Sequence, residues 1–239
     1  LFYCHACGTG MTVETLAKRL KVDVSEIGPI ELIPGSFSIE LIKKETEIDF
    51  GFPIDEEVFT YLDSRKITRD SARAYFRKRI TPQVGALITL KNHKDIIIGT
   101  TSRIFPPNDT KVKYLVSGDK PCLWPFQEFE YEYNTLIFVE GIFSRIRLVQ
   151  VLEECDYAED YSVGVFSLLG ARVNKDLAPI LAQTDAKNVI FLFDNDNAGH
   201  QAIATANQMF PLARALAVNH EIDRLPDNKL KRLIEKFNT

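Results

Sequence analysis

Two apolar runs in the chain stop at carboxylates. Leu136-Ile137-Phe138-Val139 ends at Glu140-Gly141, and Val189-Ile190-Phe191-Leu192-Phe193 ends at Asp194-Asn195-Asp196-Asn197-Ala198-Gly199. Short runs of β-branched and aromatic residues read as strands buried on both faces, and a helical pattern follows each of them. From Asn134 the pattern predicts strand (135–139), helix (143–154), strand (162–168), helix (173–184), strand (189–193), helix (198–209) and strand (213–218). A last helix, 227–237, is amphipathic through Leu230, Leu233, Ile234 and Phe237. This alternation predicts an α/β domain with a parallel sheet and helices on both faces.

The pattern upstream is different. Residues 1–10 read as a strand and a tight knuckle, followed from Thr12 by a short amphipathic helix through Val13, Leu16, Ala17, Leu20 and Val22. Pro29, Pro34 and Gly35 then interrupt regular patterning. Two helices are expected next, 54–64 around Val58, Tyr61 and Leu62, and 68–78 around Ala72, Tyr75 and Phe76, split by Arg65-Lys66-Ile67. Ala86 to Leu90 and Ile96 to Thr100 flank polar Asn92-His93-Lys94-Asp95, a hairpin signature. Four segments follow: 1–27, a linker at 28–52, a small α+β subdomain at 53–130, and the α/β domain at 131–239.

In parallel sheets the ligand site lies at the carboxyl ends of the strands. Asp194 and Asp196 stand two apart there and project the same way if the extended geometry persists, while Glu140 adds a third carboxylate from a parallel strand. Such a group suits a hard cation: Mg²⁺ takes oxygen ligands and usually keeps one or two carboxylates with phosphate and water. The residues therefore point to metal-dependent phosphoryl chemistry. The bland alternative makes these acids N-caps of the helices that follow, a task Asn197 can perform alone.

Composition narrows the partners. The 239 residues carry a net charge of −4, so a nucleic-acid surface has to be a local patch. One such patch interleaves Arg103, Lys111, Lys113 and Lys120 with Phe105, Tyr114 and Trp124; its alternative is an ordinary hairpin surface over aromatic core residues. Four cysteines suit a reducing compartment, and with no signal peptide or membrane span visible the expected location is cytoplasmic. Cys4 and Cys7 have the spacing of one zinc knuckle; alone they are half a Zn²⁺ site or two reduced thiols. The chain opens at Leu1, just before that pair, and reads as a fragment.

These motifs together resemble the bacterial and phage primase family that joins a zinc ribbon to a TOPRIM polymerase domain. Phe2 to Gly8 is similar to the second half of that zinc ribbon, Tyr61 to Ile67 to a "YL..RGI" helix turn, and Arg103 to Leu115 to a "GR…KYL" stretch. Val139-Glu140-Gly141, Ser167-Leu168-Leu169-Gly170 and Phe193 to Gly199 resemble the TOPRIM motifs in order and spacing. The resemblance implies a primase making short RNA primers on single-stranded DNA from ribonucleoside triphosphates, beside a replicative helicase, in a phage, plasmid or bacterial setting. It implies Mg²⁺ or Mn²⁺ at Glu140, Asp194 and Asp196, a template groove at Arg103, Lys111, Lys113 and Tyr114, and Zn²⁺ at Cys4 and Cys7 in a full ribbon. Glu221, Asp223 and Asp227 are the acids available for the family's "DPD" segment, in no clear register, with Asp223 and Asp227 as possible further site acids. Ser144 stands where the family usually has Asp, one negative charge fewer. A TOPRIM nuclease or topoisomerase-like enzyme and a non-catalytic DNA-binding module are the alternatives.

Overall fold

A computed structural model describes residues 2–4, 9–11, 51–80, 84–105, 113–129, 132–154, 162–219 and 221–236. The chain divides into two compact units, Leu1–Glu45 and Thr46–Thr239. In the first, β1 (Phe2–Cys4) pairs antiparallel with β2 (Thr9–Met11). The expected helix from Thr12, most of the linker, Cys7 and the Cys4 side chain lie outside the described residues.

The second unit begins with a helical pair. Asp55 caps α1 (Glu56–Ser64) by accepting from the Val58 amide at 3.3 Å, and Glu56 and Glu57 in the first turn suit the positive end of the helix. Val58, Phe59 and Leu62 form its buried face. Lys66 in the left-handed region, φ 58°, turns the chain, and Thr68 caps α2 (Arg69–Tyr75). The helix expected over 68–78 stops at Tyr75, because Arg77–Arg79 forms β3 and pairs antiparallel with β4 (Gly85–Lys91). Helix propensity is a weak prior that sheet pairing overrides. The hairpin is present as β4 and β5 (Ile97–Ile104), and β6 (Tyr114–Gly118) completes an antiparallel sheet ordered β3-β4-β5-β6.

The α/β rhythm is present with one change. β7 (Thr135–Val139), β8 (Val163–Ser167), β9 (Asn188–Asp194) and β10 (Arg214–Val218) form a parallel sheet ordered β10-β9-β7-β8. All five residues of β7 are buried, as expected for a central strand covered on both faces. α3 (Ile142–Glu153), α5 (Asn197–Met209) and α6 (Asp227–Glu235) are near their expected positions. The helix expected over 173–184 is instead a 3-10 turn (Lys175–Leu177) and the single turn α4 (Ala178–Leu181). Pro179, without an amide hydrogen and clashing with the preceding turn, is incompatible with one continuous helix there.

α3 belongs to two cores. Ile142, Phe143 and Ile146 pack with Val58, Leu62 and Phe76 of the first lobe, and Leu148, Val151 and Leu152 pack with the β7 to β9 face. This double burial explains its weakly amphipathic sequence. Its buried arginines find partners for part of their hydrogen-bonding capacity: Arg145 Nε donates to Val165 O at 3.2 Å, its guanidinium lies over the Tyr75 and Trp124 rings, and Arg147 pairs with Asp227, while Arg145 Nη1 and Arg147 Nε have no partner. Ile146→Ala is expected to lower unfolding free energy by about 2–5 kcal/mol, with an unchanged urea m-value. A loss below about 0.5 kcal/mol in urea titration would remove α3 from the first lobe's core.

Candidate active site

The sheet register brings the acids together. β7 pairs with β9, Val139 opposite Leu192, so Glu140 just after β7 and Asp194 at the end of β9 emerge at the same carboxyl edge. Glu140 is held by its backbone: its carbonyl accepts from the Gly170 amide at 2.9 Å and from Ser167 Oγ at 3.2 Å. Its Oε2 is buried and has no hydrogen-bond partner. Burial first, then the charges of Asp194 and Asp196, push its carboxyl above the ordinary range. Asp194 is raised as well, by burial and then by Glu221, Asp196 and Asp223, with Arg65 opposing.

Asp196 has a second task. The chain turns at Asn195, with the Asp196 amide donating back to Asp194 O at 2.9 Å, so the extended geometry does not carry through. Asp196 Oδ1 accepts from the Gly199 amide at 2.8 Å, which makes Asp196, not Asn197, the cap of α5. Gly199 is required there, since a Cβ would lie 2.0 Å from Asp194 O.

Arg65, outside the sequence-derived site, and Glu221, considered there only for the acidic segment, join the cluster. Arg65, at the end of α1 and 6% exposed, places one guanidinium nitrogen 2.8 Å from Glu221 Oε2 and 2.7 Å from Asp223 Oδ2, with its Cζ 5.5 Å from the Phe143 ring centroid. Burial works against its charge, but the partners led by Asp223 raise its pKa further. Asp223 stays raised because burial outweighs Arg65, whereas at half-exposed Glu221 burial raises the pKa but the Arg65 bond and charge, with Arg224 and Arg103, together outweigh it and the pKa falls. Asp227 is engaged by Arg147 at the start of α6. The signals for Arg65 and Glu221 were in the sequence: Arg65 lies in the Tyr61 to Ile67 stretch, and Glu221 stands two before Asp223 as Asp194 does before Asp196.

The first lobe faces this edge. Arg103 on β5 pairs in register with Tyr114 on β6, donates from Nε to Tyr61 Oη at 3.0 Å and lies 4.9 Å from the Tyr114 ring centroid; its charge reaches Glu221. A cavity of about 230 Å³ is lined by Tyr114, Val116, Lys120, Glu140 and Gly170 among others. Lys113 is exposed just before β6. Lys111 lies outside the described residues.

Among the described residues, no three His, Cys, Asp or Glu side chains are close enough to enclose a metal ion. An oxygen-liganded cation nevertheless fits this edge: the donors are all carboxylates, the charges of Asp194 and Asp196 raise the Glu140 pKa, and Glu140 Oε2 is unpartnered. Mg²⁺ sites of this kind are completed by substrate phosphate and water.

Residues 137–229 match the Toprim-like family model. No curated protein matches the chain. Among solved structures, the primase domains of bacteriophage T7 gp4, bound to an RNA/DNA hybrid and dTTP with the lagging-strand polymerase, share 18% identity at a TM-score of 0.57, over 74% of this chain and 89% of theirs. A DnaG primase catalytic domain bound to single-stranded DNA shares 17% at 0.52, over 74% and 71%. The Aquifex aeolicus primase with zinc-binding and RNA polymerase domains shares 20% at 0.46, over 78% of this chain; the chain spans 50% of its length. Residues 137–229 are Toprim-like. Together with the preceding lobe they have the fold of the DnaG-like and phage primase catalytic core.

Two tests follow from the cluster's charges. Arg65→Ala leaves Asp223 buried without its cation and is expected to cost about 3–5 kcal/mol. The cost should fall in the Asp223→Asn background, and strict additivity in a double-mutant cycle would remove the coupling. Asp194 ordinarily ionises at 3.8 and is raised in the fold. The folded chain therefore holds that proton more tightly than the unfolded one, and stability is lost as pH rises above 3.8 through the raised value. Asp194→Asn in EDTA should raise Tm at neutral pH by on the order of 2–4 °C, and the gain should shrink on acidification. A lower Tm for the variant at neutral pH would contradict the repulsion.

Proposed function

We propose that the chain is the catalytic core of a DNA primase, synthesising short RNA primers on single-stranded DNA from ribonucleoside triphosphates, beside a replicative helicase. The observation that carries this is the acid edge of Glu140, Asp194 and Asp196 set against Arg103 and Tyr114 of the preceding lobe. The T7 and DnaG structures, with their RNA/DNA hybrid, dTTP and single-stranded DNA, support it as relatives in fold. No helix among the described residues is long and apolar enough to cross a membrane.

In this reading Glu140, Asp194 and the remaining oxygen of Asp196 would share Mg²⁺ or Mn²⁺ with substrate phosphate and water instead of enclosing it alone. Such a cation, when bound, activates the attacking 3′-hydroxyl and offsets charge developing on the α-phosphate. Asp196 keeps the turn rigid by capping α5 while presenting its carboxylate. Arg103 and Lys113, with Lys111, draw the template phosphates, and half-exposed Tyr114 offers a ring for a base. Arg65 neutralises Glu221 and Asp223, so that they do not repel phosphate at the adjoining edge. Cys4 and Cys7 contribute half of a Zn²⁺ ribbon that reads the start sequence.

Ser144, buried on α3 where an acid is usual, favours a second reading, a DNA-binding module without catalysis. Primer synthesis on mixed-sequence single-stranded DNA with labelled ribonucleotides and Mn²⁺ separates the readings. Short RNA products lost in Asp194→Ala and Glu140→Ala, with unchanged circular dichroism, are the expected result. Wild-type activity in either variant sinks these roles, strand scission instead of RNA indicates a nuclease, and DNA binding without saturable Mn²⁺ binding selects the non-catalytic module.

A further inference from the structure

The β8 flank of the acid edge has the opposite electrostatic character. A cavity of about 510 Å³ opens there, and its walls include Lys120, Cys122, Leu169, Arg172, Asn174 and Lys175. Three side chains of that lining are cationic and none is a carboxylate. Its volume suits a nucleotide-sized ligand. We propose that this cavity is a phosphate-binding subsite in which Lys120, Arg172 and Lys175 hold the phosphate oxygens of a nucleoside triphosphate or of a nucleic-acid strand running off the acid edge. The choice of ligand rests on the nucleotidyl-transfer reading.

Three further observations support the assignment. First, Lys120 and Leu169 line both this cavity and the one that contains Glu140, so the two share a wall. A ligand whose reacting phosphate lies at the acids can extend its remaining phosphates toward these cations. Second, the loop that forms the wall is strained. Leu169 is held at φ 58°, a left-handed conformation costly for a residue with a Cβ, and Gly170 follows at φ 139°. Ser167 Oγ accepts the Leu169 amide at 3.0 Å and Glu140 O accepts the Gly170 amide at 2.9 Å. The loop that braces Glu140 therefore also leads into Arg172, Asn174 and Lys175. Such strain persists where the surroundings over-determine it, and sites of ligand contact are where it gathers.

Third, the cations are available. Among the described residues no ion pair is recorded for Lys120, Arg172 or Lys175, and Lys120 Nζ makes only a long 3.4 Å contact with Leu169 O. The nearby negative charge is Asp176, whose amide is tied to Asn174 Oδ1 at 3.0 Å. Burial, helped by Asp176, pushes the Cys122 thiol up to about 11, so it adds no negative charge at neutral pH. Among the described residues, an anion entering the cavity meets three cations without having to break a pair.

The test uses the whole chain in EDTA, so that binding is read without metal or turnover. Affinities for ATP and for a fluorescent oligothymidylate are measured for wild type and for the Arg172→Ala/Lys175→Ala variant, whose exposed positions leave folding intact, checked by Tm. The variant is expected to bind one or both ligands about tenfold more weakly. For the oligonucleotide the salt slope should fall by about 1.4, two contacts at 0.7 each. Weakening of ATP alone identifies the triphosphate as the occupant, weakening of the oligonucleotide alone identifies the strand, and either supports the subsite. Unchanged affinity for both, or a wild type that binds neither, overturns it. If the wild type shows the variant-sensitive binding but makes no primers with Mn²⁺, the nucleotidyl-transfer reading fails while the subsite stands.

Discussion

The Arg65 ion pairs with Glu221 and Asp223 are the contact on which the arrangement of this site depends. They join α1 to a turn more than a hundred residues away in sequence, across a carboxyl edge where Glu140, Asp194 and Asp196 already crowd negative charge. Without a cation, like charges at this spacing in a half-buried setting oppose folding. A guanidinium suits the task better than an ammonium, since it keeps its charge when buried and presents a flat face to the Phe143 ring. The lobe that brings Arg65 therefore supplies a charge that opposes the upward shift of Asp194 and Asp223.

The same economy extends to α3. Its buried length serves two cores, so the antiparallel lobe and the parallel sheet share one rigid element, and the position of Arg103 and Tyr114 relative to Glu140 follows from that sharing. Around this axis the charges sort by side. Carboxylates occupy the β7, β9 and β10 edge, whereas Lys120, Arg172 and Lys175 gather beyond β8. A chain with net charge −4 can thus present cationic surface to phosphate locally, which is what a phosphoryl-transfer reading requires.

Some of this was legible from residue order alone, and the physical reason is locality. Apolar runs closing on Glu140 and Asp194 announced buried parallel strands and their carboxyl edge, because a strand covered on both faces has few other compositions available. The hairpin around Asn92 to Asp95 is equally local, resting on contacts within a few residues. Local rules also misjudged three places. Residues 77–79 left their helix to pair with β4, Pro179 broke the helix expected over 173–184, and Asp196 took the capping role offered to Asn197.

What sequence by itself determined, then, is the fold class, the strand-end acids and the candidate basic groove, all carried by short-range pattern and turn chemistry. Only the tertiary structure decided that Arg65 and Glu221 stand among the acids, that Asp227 serves Arg147 instead, and that Arg172 and Lys175 line a cavity next to Glu140. Each of these depends on segments distant in the chain meeting in the folded molecule. Pair energies of buried charges are set by burial and by the partner that arrives, and neither quantity exists until the chain has folded.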